Sequence, residues 1–355
     1  MGKIVVKVGS NLLVDEHHSL NKTYIAELCR EVAKLIWEGH KVAIITSGAR
    51  AAGYGYLKSK LKSPDLYMKQ ALCSVGQVQL MKVYENAFDF YGIKIAQILL
   101  TRDTFTNRKR YLNLRNTLIG LSEIGALPVV NENDAVAVEE ITLGDNDMLA
   151  AMFAIAWNAD YLVLLSTVEG VLNDRGEVIE VYSENVKLKK LGKSSWGTGG
   201  IRTKIEAATK ASTAGVRSCI CNGERVENIS RFVGGETVGT VFEPRIDHLR
   251  AKKAWIGLLS EPSGRIWVNA GAEEALKDGK NLLPVGVTKV EGEFDAGDVV
   301  EILGESGKIV GRGIVNFSSD EMEKIKGVKT NRLKQILGYD ASKTVIHIDN
   351  MWVIG

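Results

Sequence analysis

The chain has 355 residues, 45% of them hydrophobic, which is enough to bury a sizeable core and to form about two domains. Its 45 basic and 43 acidic residues give a formal net charge of +2, so bulk charge supplies no drive toward nucleic acid or an anionic membrane. No segment reaches transmembrane length, and the opening residues 1–7 carry neither a signal-peptide pattern nor a myristoylation site, because Val6 stands where Ser or Thr is needed. A cytoplasmic protein without a membrane partner is expected. Cys29, Cys73, Cys219 and Cys221 show no zinc spacing and no disulfide framework, and the five histidines, His17 and His18 among them, are scattered, so no metal site is expected.

A first strand is predicted over residues 3–8, emptying into Gly9-Ser10-Asn11. A helix follows over about 21–38, with Ile25, Leu28, Val32, Leu35 and Ile36 on one face and Gly39 as its stop. The second strand, 41–46, ends in Ser47-Gly48 and completes a βαβ unit with a right-handed crossover. Ser63-Pro64 reads as the start of a helix continuing toward Tyr91. A strand over 94–100, a helix over about 111–125 and a strand ending at Val130 prolong the alternation. Residues 148–157 read as a buried helix capped by Asp145 or Asn146, 161–165 as a buried strand leading to Ser166-Thr167, and 173–176 as a hairpin turn. Cys219 and Cys221 alternate along a further strand as buried thiols. The fold class is α/β: an open, mostly parallel sheet with helices on both faces.

Two polar blocks interrupt this apolar pattern: Asn131-Glu132-Asn133-Asp134 after one strand, and Gly144-Asp145-Asn146-Asp147 before the apolar helix. Seven carboxylates and amides exceed what one helix cap and one loop require. Open α/β sheets bind ligands at such strand ends, and helix N-termini favour anions. Small residues and glycines after the first two strands let backbone N–H groups approach a phosphate or carboxylate. Gly197-Thr198-Gly199-Gly200-Ile201-Arg202-Thr203-Lys204 opens an Ala-rich helix with a lysine in its first turn. Physically this is a phosphate cradle, although its spacing is not that of a Walker A loop. Lys7 offers a second cation to the same edge of the sheet.

Together these residues resemble the glutamate 5-kinase branch of the amino acid kinase family, with an appended PUA domain. The matching stretches are Val5-Val-Lys-Val-Gly-Ser10, Thr46-Ser-Gly-Ala49, Lys69-Gln-Ala-Leu72, Val75-Gly-Gln77, Tyr111-Leu-Asn-Leu-Arg-Asn116, both polar blocks, and Gly197-Thr-Gly-Gly200 with Thr203-Lys204. Beyond them come Gly264-Arg-Ile266, Asn269-Ala-Gly-Ala272, Leu282-Leu-Pro-Val-Gly-Val287, Val290-Glu-Gly-Glu-Phe294, Gly313-Ile-Val-Asn-Phe-Ser-Ser-Asp-Glu321 and Ile346-His-Ile-Asp-Asn350. The resemblance runs end to end.

It implies ATP-dependent phosphorylation of the side-chain carboxylate of L-glutamate, the first step of proline biosynthesis. By the match, Lys7, Lys204 and Asp147 are catalytic, with Asp147 holding both lysines, and Ser47, Asp134 and Asn146 bind glutamate. Lys7, Gly9, Ser10, Ser166, Thr167, Thr198, Gly199, Gly200, Ile201, Arg202, Thr203 and Lys204 contact the nucleotide, with Gly48 a further backbone donor. Mg2+ is expected on the ATP phosphates. L-Proline is the implied feedback inhibitor, a dimer or tetramer the implied assembly, and glutamyl phosphate reductase an implied functional partner. The sequence departs from the family at Ser166-Thr167, where Thr-Asp is usual, at Arg50 and Arg202 in two site loops, and at Ile348. Within the fold, N-acetylglutamate, aspartate, carbamate or a nucleoside monophosphate are the alternative acceptors.

The expected domains are an amino acid kinase domain over 1–243, a linker over 244–253 with Pro244 and a basic cluster, and a β-rich PUA domain over 254–355. Strands are predicted there at 255–258, 266–268, 299–303 and 309–315, with one or two short helices. PUA domains bind RNA in other proteins, which makes an RNA-binding module carrying a degenerate kinase the rival reading. Residues 254–355 hold 12 Lys plus Arg against 15 Asp plus Glu, a net −3. That sign is wrong for a phosphate-binding surface, so a nucleic-acid partner is not expected.

Overall fold

Strands buried on both faces need nearly continuous apolar sequence, and the runs in the first two-thirds of the chain supply it. The computed structural model describes residues 1–15, 19–58, 65–136, 146–183, 200–245 and 253–354. In chain order the first elements are β1 (Lys3–Val8), α1 (Ser10–Leu13), α2 (Lys22–Trp37), β2 (Lys41–Ile45), α3 (Ala49–Leu57) and α4 (Leu66–Asp89). Next come β3 (Ile95–Leu100), α5 (Asp103–Thr106), α6 (Arg108–Ile124), β4 (Leu127–Glu132), α7 (Asn146–Trp157) and β5 (Tyr161–Ser166). Then follow α8 (Ile201–Thr213), β6 (Arg217–Asn222), α9 (Asn228–Val233) and β7 (Thr240–Phe242). The seven strands form one sheet in the order β3-β4-β2-β1-β5-β6-β7, parallel except for β7. This is the mostly parallel α/β sheet that the alternation predicts.

From β1 the chain passes through α2 to β2 on one side, and from β5 through α8 to β6 on the other. The β1/β5 boundary is therefore the switch point, where an open sheet leaves a crevice beyond its strand ends. Ile25, Leu28, Val32 and Leu35 of α2 are buried in the core with Val6, Val8, Val42 and Ile44. The Asn21 side chain caps α2 by accepting from Tyr24 N–H, and Gly39 ends it at φ +90°. Helix α7 is buried along nearly its whole length, as the apolar run after Asn146-Asp147 requires.

The structure differs from expectation at several ends. Helix α3 was not expected, because its two glycines weaken the helical signal. Ser63-Pro64 lies outside the described residues, and α4 starts at Leu66 with Asp65 as its cap, accepting from Met68 N–H. Strand β4 runs on to Glu132, so Asn131 is a strand residue paired with Leu99. Asn146 is the first residue of α7 rather than its cap, and Asp145 lies outside the described residues. Helices α3 and α4 meet backbone to backbone. A Cβ on Gly76 would lie 1.7 Å from Ala49 O and 2.4 Å from Gly53 N, and one on Gly53 would lie 2.1 Å from Leu72 O.

By contacts the chain divides into two compact units, Met1–Thr104 with Arg110–Asp247, and Phe105–Lys109 with His248–Gly355. The second contains β8 (Gly264–Val268), β9 (Val287–Gly292), β10 (Val299–Leu303), β11 (Ile309–Ile314) and β12 (Met351–Val353), in the order β12-β11-β10-β8-β9. Residues 255–258, expected as a strand, belong to a π-helical turn, Trp255–Leu259, closed by Ser260 N–H donating to Trp255 O at 2.9 Å. Its buried residues are Trp255, Ile256 and Leu259, a helical spacing that a five-residue apolar run cannot signal unambiguously. Strands β9 and β12 escaped prediction, the first because its residues are largely exposed. Three α-helices among the described residues, Ala270–Lys277, Ser319–Ile325 and Leu333–Leu337, stand where one or two were expected. Among the described residues no helix is long and apolar enough to cross a membrane.

Gly76→Ala should lower stability by about 2–3 kcal/mol, because the added methyl meets main-chain atoms that no side-chain rotation can move. The denaturation midpoint measures this, and an unchanged midpoint would mean that α3 and α4 separate freely.

Candidate active site

The centre of the site is a carboxylate enclosed by two ammonium groups. Lys7 is the penultimate residue of β1, Asp147 lies in the first turn of α7, and Lys204 in the first turn of α8. Lys7 Nζ is 2.5 Å from Asp147 Oδ1, and Lys204 Nζ is 2.9 Å from Oδ2. Thr203 Oγ1 also donates to Oδ2, at 3.1 Å. Asp147 is 0% exposed, Lys7 4% and Lys204 6%, so these charges interact with little help from water. Burial alone pushes the Asp147 carboxyl up, but the Lys7 and Lys204 ammoniums overturn this and hold it below the usual carboxylate value. The group is an anion organising two cations, and the three together carry +1. A phosphate that approaches them meets positive charge already fixed in place.

Of the other residues expected to contact a nucleotide, Gly9, Ser10, Ser166, Thr167, Gly200, Ile201, Arg202 and Thr203 are among the described residues. Gly9 and Ser10 follow the end of β1, and Gly9 sits against β5, where a Cβ would lie 3.3 Å from Leu165 O. Ser166 ends β5 half-buried, its carbonyl accepting from Gly223 N–H at 2.7 Å, and Thr167 is exposed. Gly200 caps α8, and Ile201, Arg202 and Thr203 form its first turn. The Arg202 side chain is 90% exposed and pairs with Glu206 at 3.0 Å. Thr198 and Gly199 lie outside the described residues.

Beside the charge cluster lies a set of buried amides. Asn146 Nδ2 donates to Thr46 O at 2.6 Å, to Asn131 Oδ1 at 2.9 Å and to Ser47 Oγ at 3.1 Å. Asn131 Nδ2 in turn donates to Gln77 Oε1 at 2.8 Å, and Thr46 Oγ1 is 2.9 Å from Tyr84 OH. Gly48 takes φ +90° to begin α3, a conformation in which glycine carries no Cβ penalty. Asp134, just beyond β4, is partly buried, and burial raises its carboxyl, opposed by a hydrogen bond from the Cys73 thiol and by the Arg50 charge. Burial, with Asp134 adding to it, pushes the Cys73 thiol up to about 12.

The structure thus joins Lys7, Asp147 and Lys204 directly, and Ser47 with Asn146 directly. Sequence reasoning gave no individual role to Thr46, Gln77, Asn131 or Tyr84, and none to Thr203 as a donor to Asp147. A glutamine next to a glycine on the inner face of a long helix was the one available signal for Gln77.

Fold and site together define an α/β protein with a buried carboxylate held between two lysines at its switch point. Sequence models match as the amino acid kinase family over residues 2–222 and as a PUA domain over 264–337. The chain belongs to the amino acid kinase family. Within that family it is 69% identical over 351 residues to the glutamate 5-kinase of Thermotoga maritima, covering 99% of each chain. The glutamate 5-kinase of Kosmotoga olearia is 59% identical over 356 positions with 99% of each chain covered, and that of Aquifex aeolicus 45% identical over 354, with 98% of this chain and 99% of that one. The chain accordingly falls among the glutamate 5-kinases.

Asp147→Asn should lower stability by about 3 kcal/mol, since it leaves two buried ammonium groups without the carboxylate between them. Denaturant titration of the ligand-free protein checks this. A shift under about 0.5 kcal/mol, the size of an ordinary surface change, would mean that the lysines are compensated elsewhere.

Proposed function

We propose that the chain transfers the terminal phosphoryl group of ATP to the side-chain carboxylate of L-glutamate, giving L-glutamyl 5-phosphate for proline biosynthesis. The observation that carries this reading is the adjacency of Asn146 and Asp147. One residue joins the amide cluster suited to an amino acid, and the next holds the two lysines suited to a phosphate. The reacting groups are thereby brought to one helix turn.

The attacking glutamate carboxylate is ionised at neutral pH, with an ordinary pKa of about 4.3, so no proton has to be removed and no general base is needed. Its oxygen forms a bond to the terminal phosphorus while the bond from that phosphorus to the β–γ bridging oxygen breaks, and ADP leaves with the electron pair. Lys7 and Lys204 neutralise the charge that spreads over the transferring oxygens, and Asp147 keeps both in place. Asp134 meets the α-ammonium of glutamate, and Ser47 with Asn146 orients the amino acid. Gly9, Ser10, Ser166, Thr167 and the first turn of α8 contact the nucleotide. Among the described residues no group of three or more His, Cys, Asp or Glu side chains could hold a metal, and both Asp147 oxygens face ammonium groups. The donor set therefore does not form a protein cage for Mg2+. An ion held by ATP phosphates and water fits the reluctance of Mg2+ to dehydrate.

The chemistry lies in residues 1–243, with 244–253 as linker and 254–355 as a PUA domain that supplies no reacting group. L-Proline, which shares the α-carboxylate and α-nitrogen of glutamate, would compete at the same amides, and assembly as a dimer or tetramer belongs to this reading.

A coupled assay of ADP release with L-glutamate, N-acetylglutamate, aspartate, carbamate and a nucleoside monophosphate tests the acceptor. Only L-glutamate should give substantial turnover, and turnover with another acceptor in its place would overturn the reading. In the same assay Lys204→Ala should lower kcat with little change in glutamate KM, and Asp134→Ala should raise that KM roughly tenfold, about 1.4 kcal/mol.

The pH dependence follows from the raised Asp134 carboxyl. Its protonated form cannot pair with an ammonium, so kcat/KM for glutamate should fall as pH drops through that raised value. The fall starts at higher pH than for an ordinary Asp near about 3.9. Asp134→Asn should lack this acid limb. An unchanged limb in the variant would assign it to another group.

A further inference from the structure

We propose that Gln77 is a positioning residue for the acceptor substrate: through Asn131 it fixes which end of the Asn146 amide, oxygen or nitrogen, is offered to the ligand. The inference rests on the reading of this cluster as the amino-acid site and names a determinant of its selectivity.

Amide orientation here is dictated by two backbone groups. Thr46 O can only accept, so the Asn146 atom facing it at 2.6 Å is Nδ2. Glu132 N–H can only donate, so the Asn131 atom facing it at 3.0 Å is Oδ1. That oxygen also accepts from Asn146 Nδ2 at 2.9 Å, which leaves Asn131 Nδ2 pointing away, and it donates to Gln77 Oε1 at 2.8 Å. The relay therefore has one polarity from end to end. It leaves Asn146 Oδ1, an acceptor, and Gln77 Nε2, a donor, both buried and both without a hydrogen-bond partner among the described residues. Buried amide atoms are seldom left in that state unless a ligand or water completes them. An α-amino acid offers the complementary pair, an ammonium that donates and a carboxylate that accepts.

Gln77 reaches Asn131 because the neighbouring Gly76 lets α4 lie directly on α3. If the Gln77 oxygen is removed, Asn131 Nδ2 becomes a buried donor with no acceptor. The rotation that relieves it withdraws Oδ1 from Asn146. The Asn146 amide then keeps Thr46 O and Ser47 Oγ but loses the contact that fixes its plane from the far side, and its oxygen no longer faces a fixed point.

The test uses Gln77→Met, which keeps length and helix propensity, and Gln77→Glu, which keeps an acceptor oxygen toward Asn131. Glutarate, which is glutamate without its ammonium, serves as competitor, and the ratio of its inhibition constant to the glutamate KM measures how well the ammonium is read. In Gln77→Met the glutamate KM should rise roughly five- to tenfold, the ratio should fall by a similar factor, and the ATP KM should stay within about twofold. Gln77→Glu loses the Nε2 donor and so should weaken glutamate and glutarate together, while retaining the ratio within about threefold. A folded Gln77→Met with an unaltered ratio overturns the proposal, whether both affinities stay the same or glutamate and glutarate are weakened equally. If Gln77→Met does not fold, Gln77→Glu decides, because loss of the ratio with the acceptor retained contradicts the relay. Absence of glutamate-dependent turnover in the unaltered protein would instead overturn the substrate reading.

Discussion

Asp147 sits in full burial between two ammonium groups, and keeping those charges together determines where three elements must meet. Lys7 arrives on the central strand of the sheet, Lys204 on the helix that follows β5, and the carboxylate on a helix buried along nearly all its length. None of the three can shift without leaving charge in a medium that solvates it poorly. The switch point of the sheet is where such elements converge, because the connections from β1 and β5 diverge there and leave the strand ends uncovered. Topology supplies the crevice, and the ion cluster gives it a sign.

The pairing of Asn146 with Asp147 follows from helix geometry. Consecutive residues in an α-helix point about 100° apart, so neighbours in sequence face different surroundings. One faces the ends of β2 and β4, where Thr46, Ser47 and Asn131 lie, and the other faces Lys7 and α8. Two chemically distinct clusters, one of amides and one of charges, are thus joined by a single peptide unit.

The central strands were legible because β1, β2, β4 and β5 are apolar over most of their length; Lys7 and Lys204 were read as cations at one sheet edge, and Asp147 as the residue that holds them came from the family resemblance. The unpredicted features have a common cause. Helix α3 carries glycines that argue against a helix in isolation, and the purpose of Gly53 is visible only once α4 lies against it. The turn at Trp255–Leu259 is too short for its period to be read. Asn131 and Gln77 are 54 residues apart, and a hydrogen bond between neutral amides leaves no charge pattern by which to find it. Burial of a polar side chain becomes informative only when its partner is known.

The contact between Gly53 and Gly76 bears on movement as well as on stability. Helices that touch through side chains can slide or rotate a little while rotamers adjust between them. Here main-chain atoms meet, and no compressible layer remains. Helix α3 starts at Gly48, beside Ser47, and α4 carries Gln77 and Cys73 toward Asn131 and Asp134. A displacement of the loop after β2 would therefore be passed through α3 to the segment of α4 that carries Cys73 and Gln77, and the two helices would move as one body.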